Sequence, residues 1–159
     1  MGQQQLLLLV LGIVIVGLAV VVGINAFGEN QKRANADALV NDGLRIASDV
    51  QAWALKPQQF GGAGGWEQAD TDLDEGTFFE RALGYTDTDG DDYTNVNGRF
   101  SIEGEGGDDG AGILITGVNA NQDNLVFVRV CGVRSGEIFT EIDYAAEDGS
   151  ASLDAPSCP

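Results

Sequence analysis

Residues 6–27 read LLLLVLGIVIVGLAVVVGINAF, a run without a single charged side chain. Up to Ile24 the only non-aliphatic residues in this run are three glycines, namely Gly12, Gly17 and Gly23. The 19 residues from 6 to 24 span about 29 Å as a helix, which is close to the thickness of the hydrocarbon layer of a bilayer. Residues 1–5 contain no basic side chain, so the run lacks the basic leader of an ordinary secretory signal. We therefore expect a helix that is buried in lipid or in a hydrophobic bundle.

The helical pattern continues beyond this run as far as Leu55 and ends there, because Pro57 disfavours helical geometry in Lys56, the residue before it. Residues 3–55 are therefore predicted to form one helix about 80 Å long. From Asn30 onward, apolar residues recur every three or four positions, as they do in a helix packed on a sheet. A free amphipathic helix lying on a membrane is disfavoured, because lysine and arginine are scarce. The apolar stripe consists of Leu39, Gly43, Ala47, Val50 and Ala54, flanked by Leu44, Ile46 and Trp53.

Four strand-like segments follow the helix, each rich in β-branched or alternating apolar residues and bounded by turn residues. Their short connections favour an antiparallel meander. A short helical turn carrying Phe78 and Phe79 is expected upstream, and no regular structure is expected in residues 145–159. The sequence thus predicts an α+β fold, in which the C-terminal half of one long helix packs on three or four antiparallel strands. The predicted strands are residues 99–103, 112–118, 125–133 and 137–143.

The net charge of −17 lies entirely in residues 57–159. The chain has 25 acidic and 8 basic residues, and residues 1–56 hold four of each. The sequence therefore divides the chain into three parts, which are a hydrophobic helix half (1–28), an amphipathic helix half (29–56) and an acidic head (57–159). Such a head repels phosphate backbones, so we expect no direct binding of nucleic acid. An acidic surface of this kind keeps a protein soluble, and it also attracts divalent cations weakly.

The two cysteines, Cys131 and Cys158, both lie in the head. A hydrophobic N-terminal segment is expected to place the head outside the cytoplasm, where a disulfide persists. Such a bond would stabilise the head by roughly 3–4 kcal/mol in the chain-entropy model, and it would tether the C-terminus. The cysteines form no CxxC motif and the chain has no histidine, the commonest general base and transition-metal ligand. We therefore expect that the protein is not an enzyme.

One loop in the head has the composition of a cation site. Oxygen ligands at alternate positions of a glycine-containing loop can converge on Ca²⁺, which is the only cofactor that the sequence suggests. The loop does not match an EF-hand, because Asp92 replaces the sixth-position glycine and Gly98 stands where the bidentate glutamate should be. A looser calcium loop and a solvated acidic turn both remain compatible with the residues. The candidate ligands are Asp87, Asp89, Asp91, Asp92 and Asn95.

These features together resemble the type IV pilin superfamily of pilins and pseudopilins. The resemblance is carried by the apolar run near the N-terminus, its continuation as one helix to Leu55, and the strands that follow. The pair Cys131 and Cys158 is similar to the pair that encloses the C-terminal loop of many bacterial pilins. The resemblance implies a structural protein whose N-terminal helices bundle into a filament core. It also implies as partners other copies of the chain, the inner membrane before assembly, a prepilin peptidase and the pilus assembly machinery.

The family carries a glutamate at its fifth mature position, where this chain has Gln5. In a bundle Gln5 could still accept a hydrogen bond, but without the contribution of a charge. The glycines of the apolar run would let neighbouring helices approach closely. The expected filament core therefore includes Gln5, Leu11, Gly12, Val16, Gly17 and Gly23.

Two functions follow as expectations. The first is a structural subunit of an extracellular, pilus-like filament at the cell surface, inserted in the membrane before assembly. The alternative is a monomeric, membrane-anchored extracellular module whose head binds calcium, a glycan or another surface partner.

Overall fold

The computed structural model describes residues 2–66, 69, 73, 78–86, 88–89, 92–105, 112–119, 124–144 and 155–159. Helix α1 (Gly2–Leu55) comprises 54 residues and is therefore about 80 Å long. It ends immediately before Lys56 and Pro57, as the sequence predicts. The C-terminal half of this helix, called its lower half below, packs in the head. The N-terminal half, called its upper half, extends away from the head.

The head contains one six-stranded antiparallel sheet, in which each strand pairs with the next along the chain. The predicted meander is confirmed, and the sheet is extended by two very short strands at one edge. The described part of the head also contains helix α2 (Phe78–Arg81) and the 3-10 turns Gln58–Phe60 and Ser135–Glu137, and α1 lies beneath the sheet. The strands are β1 (Thr88–Asp89), β2 (Asp92–Thr94), β3 (Arg99–Glu105), β4 (Gly112–Asn119), β5 (Asn124–Val130) and β6 (Ile138–Asp143).

The two additional strands lie within the stretch that the sequence predicts to be either a calcium loop or a solvated acidic turn. Aspartate, asparagine and glycine are depleted in strands, so their presence concealed the pairing. The ring of Tyr93 on β2 anchors this edge, because it stacks on Phe100 at 6.2 Å and lies 4.5 Å from the ring of Tyr85. Packing of aromatic side chains thus stabilises an edge whose local sequence favours turns.

One face of the sheet packs on the lower half of α1, and the predicted apolar stripe is confirmed. Leu44, a predicted flanking residue, is an exception, with 36% of its surface exposed. The buried helix residues are Ala36, Leu39, Gly43, Ile46, Ala47, Val50, Trp53 and Ala54. The sheet contributes Phe100, Ile102, Ile113, Ile115, Val126, Val128 and Val130 to the same core.

The opposite face of the sheet carries a smaller cluster of buried apolar residues. Leu114, Leu125 and Phe127 are between 1% and 7% exposed, and Ala155 from the C-terminal segment packs against them. The disulfide between Cys131 and Cys158 fixes this segment, and the predicted cysteine pair is thereby confirmed. The predicted lack of regular structure in residues 145–159 lies mostly outside the described residues, and residues 155–159 contain neither helix nor strand.

Gly43 is the position at which a side chain would collide with the sheet. A Cβ atom there would lie 2.8 Å from Cγ2 of Val128, whose side chain is short, stiff and 1% exposed. We expect Gly43→Leu to lower the free energy of unfolding of the head by about 2 kcal/mol, because overpacking forces the core to shift. Denaturant titration followed by near-ultraviolet circular dichroism measures this loss.

Gly28→Leu is the matched control, because the same side chain is then added to the same helix with no atom within 4 Å of the new Cβ. Equal unfolding free energies for the two variants would contradict the packing described at Gly43.

Candidate functional site

The apolar half of α1 is not buried by any other part of the chain that the structure describes. From Leu6 to Phe27, each large apolar side chain is between 50% and 74% exposed, and the first fully buried residue of the helix is Ala36. The apolar half is long and apolar enough to cross a membrane, and a signal sequence near an N-terminus has the same features. Soluble monomers rarely expose more than a few hundred Å² of contiguous apolar surface. This surface is therefore the candidate functional site.

The expected core residues all lie on this exposed half, where they contact solvent and not the head. Gly12, Gly17 and Gly23 are informative, because a Cβ atom at any of them would meet no atom of the described residues within 4 Å. Each glycine costs a helix about 1 kcal/mol relative to alanine. No described residue packs against these glycines, so each leaves room for the close approach of another helix.

Small residues on the exposed helix concentrate on one side. At about 100° per residue, Gly12, Ala19, Gly23 and Ala26 fall within about 60° of one another around the axis. Gln5 and Val16 lie on the same side, whereas Leu11 and Gly17 lie about 100° and 140° away from Gly12. One face of the helix is therefore flat enough for close approach by another helix.

A network of asparagine side chains holds α1 where it enters the head. Nδ2 of Asn124 donates to the carbonyl oxygen of Lys32 at 2.7 Å and to Oδ1 of Asn35 at 3.0 Å. Nδ2 of Asn35 in turn donates to the carbonyl oxygen of Asn97 at 3.2 Å. Asn124 is only 1% exposed, so these hydrogen bonds form in a site that excludes water. They fix the direction in which the apolar half leaves the head.

The turn between β2 and β3 joins the same network through Asp42. Its Oδ2 accepts a hydrogen bond from Nδ2 of Asn95 at 2.9 Å and from Nδ2 of Asn97 at 2.7 Å. Sequence reasoning missed these hydrogen bonds to Asp42, because it considered Asn95 only as a candidate calcium ligand or as part of a solvated acidic turn. The available signal was the spacing of Asn95, Asn97 and Gly98, which is typical of an asparagine-capped turn before a strand.

The structure shows only some of the candidate calcium ligands, because Asp87 and Asp91 lie outside the described residues. Oδ1 of Asn95 accepts hydrogen bonds from the backbone N–H groups of Asn97 and Gly98, at 2.9 and 3.0 Å. Oδ2 of Asp92 forms an ion pair with Nε of Arg99 at 3.4 Å. In the pairing of β1 with β2, Asp92 lies opposite Asp89. Within the described part of the chain, no group of three or more acidic or cysteine side chains could hold a metal ion. Calcium binding by this loop stays a prediction.

A cavity of about 320 Å³ lies where α1 meets α2, and its lining includes Arg45, Asp49 and Tyr85. The hydroxyl group of Tyr85 donates to Oδ2 of Asp49 at 2.8 Å, and the guanidinium group of Arg45 lies 5.9 Å from the centre of the Tyr85 ring. Burial raises the pKa of Tyr85 well above the usual range of tyrosine, and the hydrogen bond to Asp49 raises it further. Tyr85 therefore stays a neutral donor that ties α1 to the head.

Most aromatic residues near the C-terminal end of α1 pack in the hydrophobic core. Nε1 of Trp53 donates to the carbonyl oxygen of Gly61 at 3.1 Å, and the Trp53 ring meets Phe78 edge to face at 4.7 Å. The predicted short helix carrying two phenylalanines is confirmed as α2. Phe60, by contrast, is 70% exposed and lies in the 3-10 turn that follows the C-terminal end of α1.

No family model matches the chain, and neither a curated protein nor a solved structure matches it. A function for this chain therefore rests on its own geometry and chemistry.

Proposed function

We propose that the chain is the structural subunit of an extracellular, type IV pilus-like filament. The apolar halves of α1 would bundle along the axis, and the acidic heads would form the outer surface. The observation that carries this proposal is the contrast between the two halves of α1. The C-terminal half buries eight residues in the head, whereas each large apolar side chain from Leu6 to Phe27 is at least half exposed.

Bundling gives this apolar surface a partner. Removing it from water is favourable by about 25 cal/mol per Å² of buried apolar area. Transfer from lipid into a bundle is driven more weakly, because lipid is as apolar as the helix, and it depends on close helix–helix packing. The small face that contains Gly12 and Gly23 supplies such packing, and polar Gln5 at its end offers an amide group for hydrogen bonds between helices.

The proposal includes the steps that precede assembly. The subunit would reside in the inner membrane through the same apolar run, and a prepilin peptidase and the pilus assembly machinery would act on it. The net charge of −17 favours heads that face solvent outside the bundle and do not pack tightly against one another.

The second candidate is a monomeric, membrane-anchored binding module, and one observation favours it. The length of the uncharged run matches the thickness of a bilayer, so lipid alone could cover the apolar side chains of a single copy. Negative-stain microscopy of cells that express the chain separates the two functions. The filament proposal predicts thin fibres on the cell surface, whereas the anchored module predicts a surface without fibres.

We expect Gly12→Leu to raise the concentration needed for filament formation about tenfold or more. The added side chain would separate the helices at their closest approach, and overpacking of this kind costs about 1–3 kcal/mol. The denaturation midpoint of the head should not change, because a Cβ atom at position 12 lies within 4 Å of no described residue and Ala36, the first buried residue of the helix, is about 36 Å away along the axis. Sedimentation of polymer after detergent removal measures the effect.

Gly12→Ala serves as the graded control and should fall between the wild type and Gly12→Leu. Filament formation at the same concentration by all three proteins would contradict close packing at Gly12.

A further inference from the structure

The turn between β2 and β3 contains the only Asn-Gly dipeptide of the chain, Asn97-Gly98. In such a dipeptide, the main-chain nitrogen of the glycine can attack the side-chain carbonyl carbon of the asparagine. Glycine has no Cβ atom to hinder this attack, so the side chain of asparagine is least stable chemically where glycine follows it. Asn97 is therefore the asparagine of this chain that is most prone to deamidation.

The fold requires both residues at these positions. A Cβ atom at position 98 would overlap the carbonyl oxygen of Val118 and lie 2.7 Å from Cδ2 of Leu39, so only glycine fits there. Nδ2 of Asn97 donates to Oδ2 of Asp42 at 2.7 Å, which joins the turn to α1. A chemically unstable dipeptide is thus fixed at the contact between the sheet and the helix.

Hydrogen bonds hold the reacting groups of this dipeptide in place. The N–H group of Gly98 donates to Oδ1 of Asn95 at 3.0 Å, so it is directed to a neighbour and not to the side chain of Asn97. Nδ2 of Asn97, which would leave as ammonia, is bound to Oδ2 of Asp42, and Nδ2 of Asn95 donates to the same oxygen at 2.9 Å. Attack therefore requires that the turn first detach from Asp42 and Asn95.

We propose that Asn97 is a self-deamidating site, which these hydrogen bonds keep in the amide form and which reacts when the turn opens. The nitrogen of Gly98 forms a bond to Cγ of Asn97, and the side-chain nitrogen leaves as ammonia with the proton that Gly98 loses. Water then opens the cyclic succinimide at either carbonyl carbon, which gives aspartate or isoaspartate. Water is the only co-reactant, and the inference does not depend on filament formation.

The reaction would make the opening of the turn irreversible. A carboxylate at position 97 has no N–H group to donate to Asp42. It also places a second negative charge where Nδ2 of Asn97 now lies 2.7 Å from Oδ2 of Asp42, and like charges at this separation repel each other. Deamidation would therefore weaken the attachment of the β2–β3 turn to α1.

Peptide mass spectrometry of the full-length protein, incubated in mildly alkaline buffer, tests the inference. Trypsin releases residues 82–99, because Arg81 and Arg99 flank this peptide, and mass and retention time distinguish both products from asparagine at position 97. The reference is the deamidation rate of a synthetic peptide of the same residues. We expect the folded protein to react at least about thirtyfold more slowly, because one hydrogen bond to a charged group and one to a neutral group must break. Equal rates would overturn the inference.

Two variants test whether the turn itself provides the protection. Asp42→Ala removes the acceptor of both asparagine side chains, and Asn95→Ala removes the acceptor of the Gly98 N–H group. Each should raise the deamidation rate about tenfold or more. Asp37→Ala is the matched control and should leave the rate unchanged, because Asp37 is an exposed residue of the same helix. A rate that neither turn variant raises would overturn the inference.

A variant that destabilises the head elsewhere separates opening of the turn from unfolding of the whole head. The double variant Cys131→Ser/Cys158→Ser loses the disulfide, which lies outside the turn. Its deamidation rate should stay close to that of the wild type. A rise as large as that of Asp42→Ala would assign the protection to global stability and overturn the role of the turn.

The consequence of the reaction is measured with Asn97→Asp, which carries the carboxylate of the product from the start. We expect the folding equilibrium constant of the head to fall about tenfold or more, because two carboxylates would then face each other. In the Asp42→Ala background the same substitution should have a much smaller effect, and a double-mutant cycle measures the difference. An equal loss in both backgrounds would contradict repulsion by Asp42.

Discussion

Leu11→Asp is expected to abolish filaments while leaving the head folded. Leu11 lies in the middle of the uncharged run and is 50% exposed, so the substitution removes only contacts with neighbouring residues of the same helix. In a bundle, every copy would bring its carboxylate into an apolar core, and a buried ion without a partner costs several kcal/mol. Ala36, the first buried residue, lies about 37 Å farther along the helix, too far for the charge to disturb the head.

The measurement is electron microscopy of purified protein after detergent removal, with the circular dichroism of the head recorded in parallel. Purified protein is used because an aspartate in the middle of the run also disfavours membrane insertion, by about 2.5–3.5 kcal/mol. Leu11→Ile is the matched control and should form normal filaments, whereas Val16→Asp should behave like Leu11→Asp. Normal filaments from either aspartate variant would be incompatible with a helical core.

Loss of the disulfide is expected to have the largest effect on the head. The bond joins Cys131, just after β5, to Cys158, 27 residues later, and it holds the segment whose Ala155 packs on Leu114, Leu125 and Phe127. Removing a cross-link that closes a loop of this length lowers the free energy of unfolding by about 3 kcal/mol. We expect the double variant Cys131→Ser/Cys158→Ser to lose this amount in denaturant titrations.

Reduction of the wild-type protein with dithiothreitol should reproduce the loss, and the same reagent should leave the double variant unchanged. Binding of an apolar dye should also rise in both reduced and variant protein, because the C-terminal segment no longer shields the outer face of the sheet. A denaturation midpoint that does not depend on the disulfide would show that packing alone fixes this segment.

The helix and the main strands were predictable, because their signals are local. The end of α1 follows from Pro57, its buried stripe follows from the spacing of Leu39, Gly43, Ala47 and Val50, and β3–β6 follow from alternation and β-branched residues. The boundaries differ by only a few residues from those of the structure. Such features depend on a period that can be read within one segment.

The parts that sequence reasoning missed depend on residues distant in the chain. Strands β1 and β2 are stabilised by the ring of Tyr93 against Phe79 and Phe100, not by strand-forming residues of their own. The hydrogen bond that joins α1 to β5 links Asn35 to Asn124, which are 89 positions apart in the sequence. No spacing rule connects such residues before the fold is known, and the turn containing Asn95 was therefore interpreted as a possible calcium ligand set.

The exposed apolar run was identified from sequence as a membrane or bundle segment, but its exposure among the described residues could be seen only in the structure. So did the finding that Gly12, Gly17 and Gly23 face open space, since a glycine in a helix can equally serve close packing within a subunit. These two observations are the physical basis of the proposed filament.

Electron cryomicroscopy of the full-length protein after detergent removal tests the role of the apolar run most directly. The account predicts a helical polymer in which residues 6–27 of each subunit lie near the axis, packed against neighbouring copies at interaxial distances of about 8–10 Å. Particles that hold a single copy, with this run surrounded only by lipid or detergent, would contradict it.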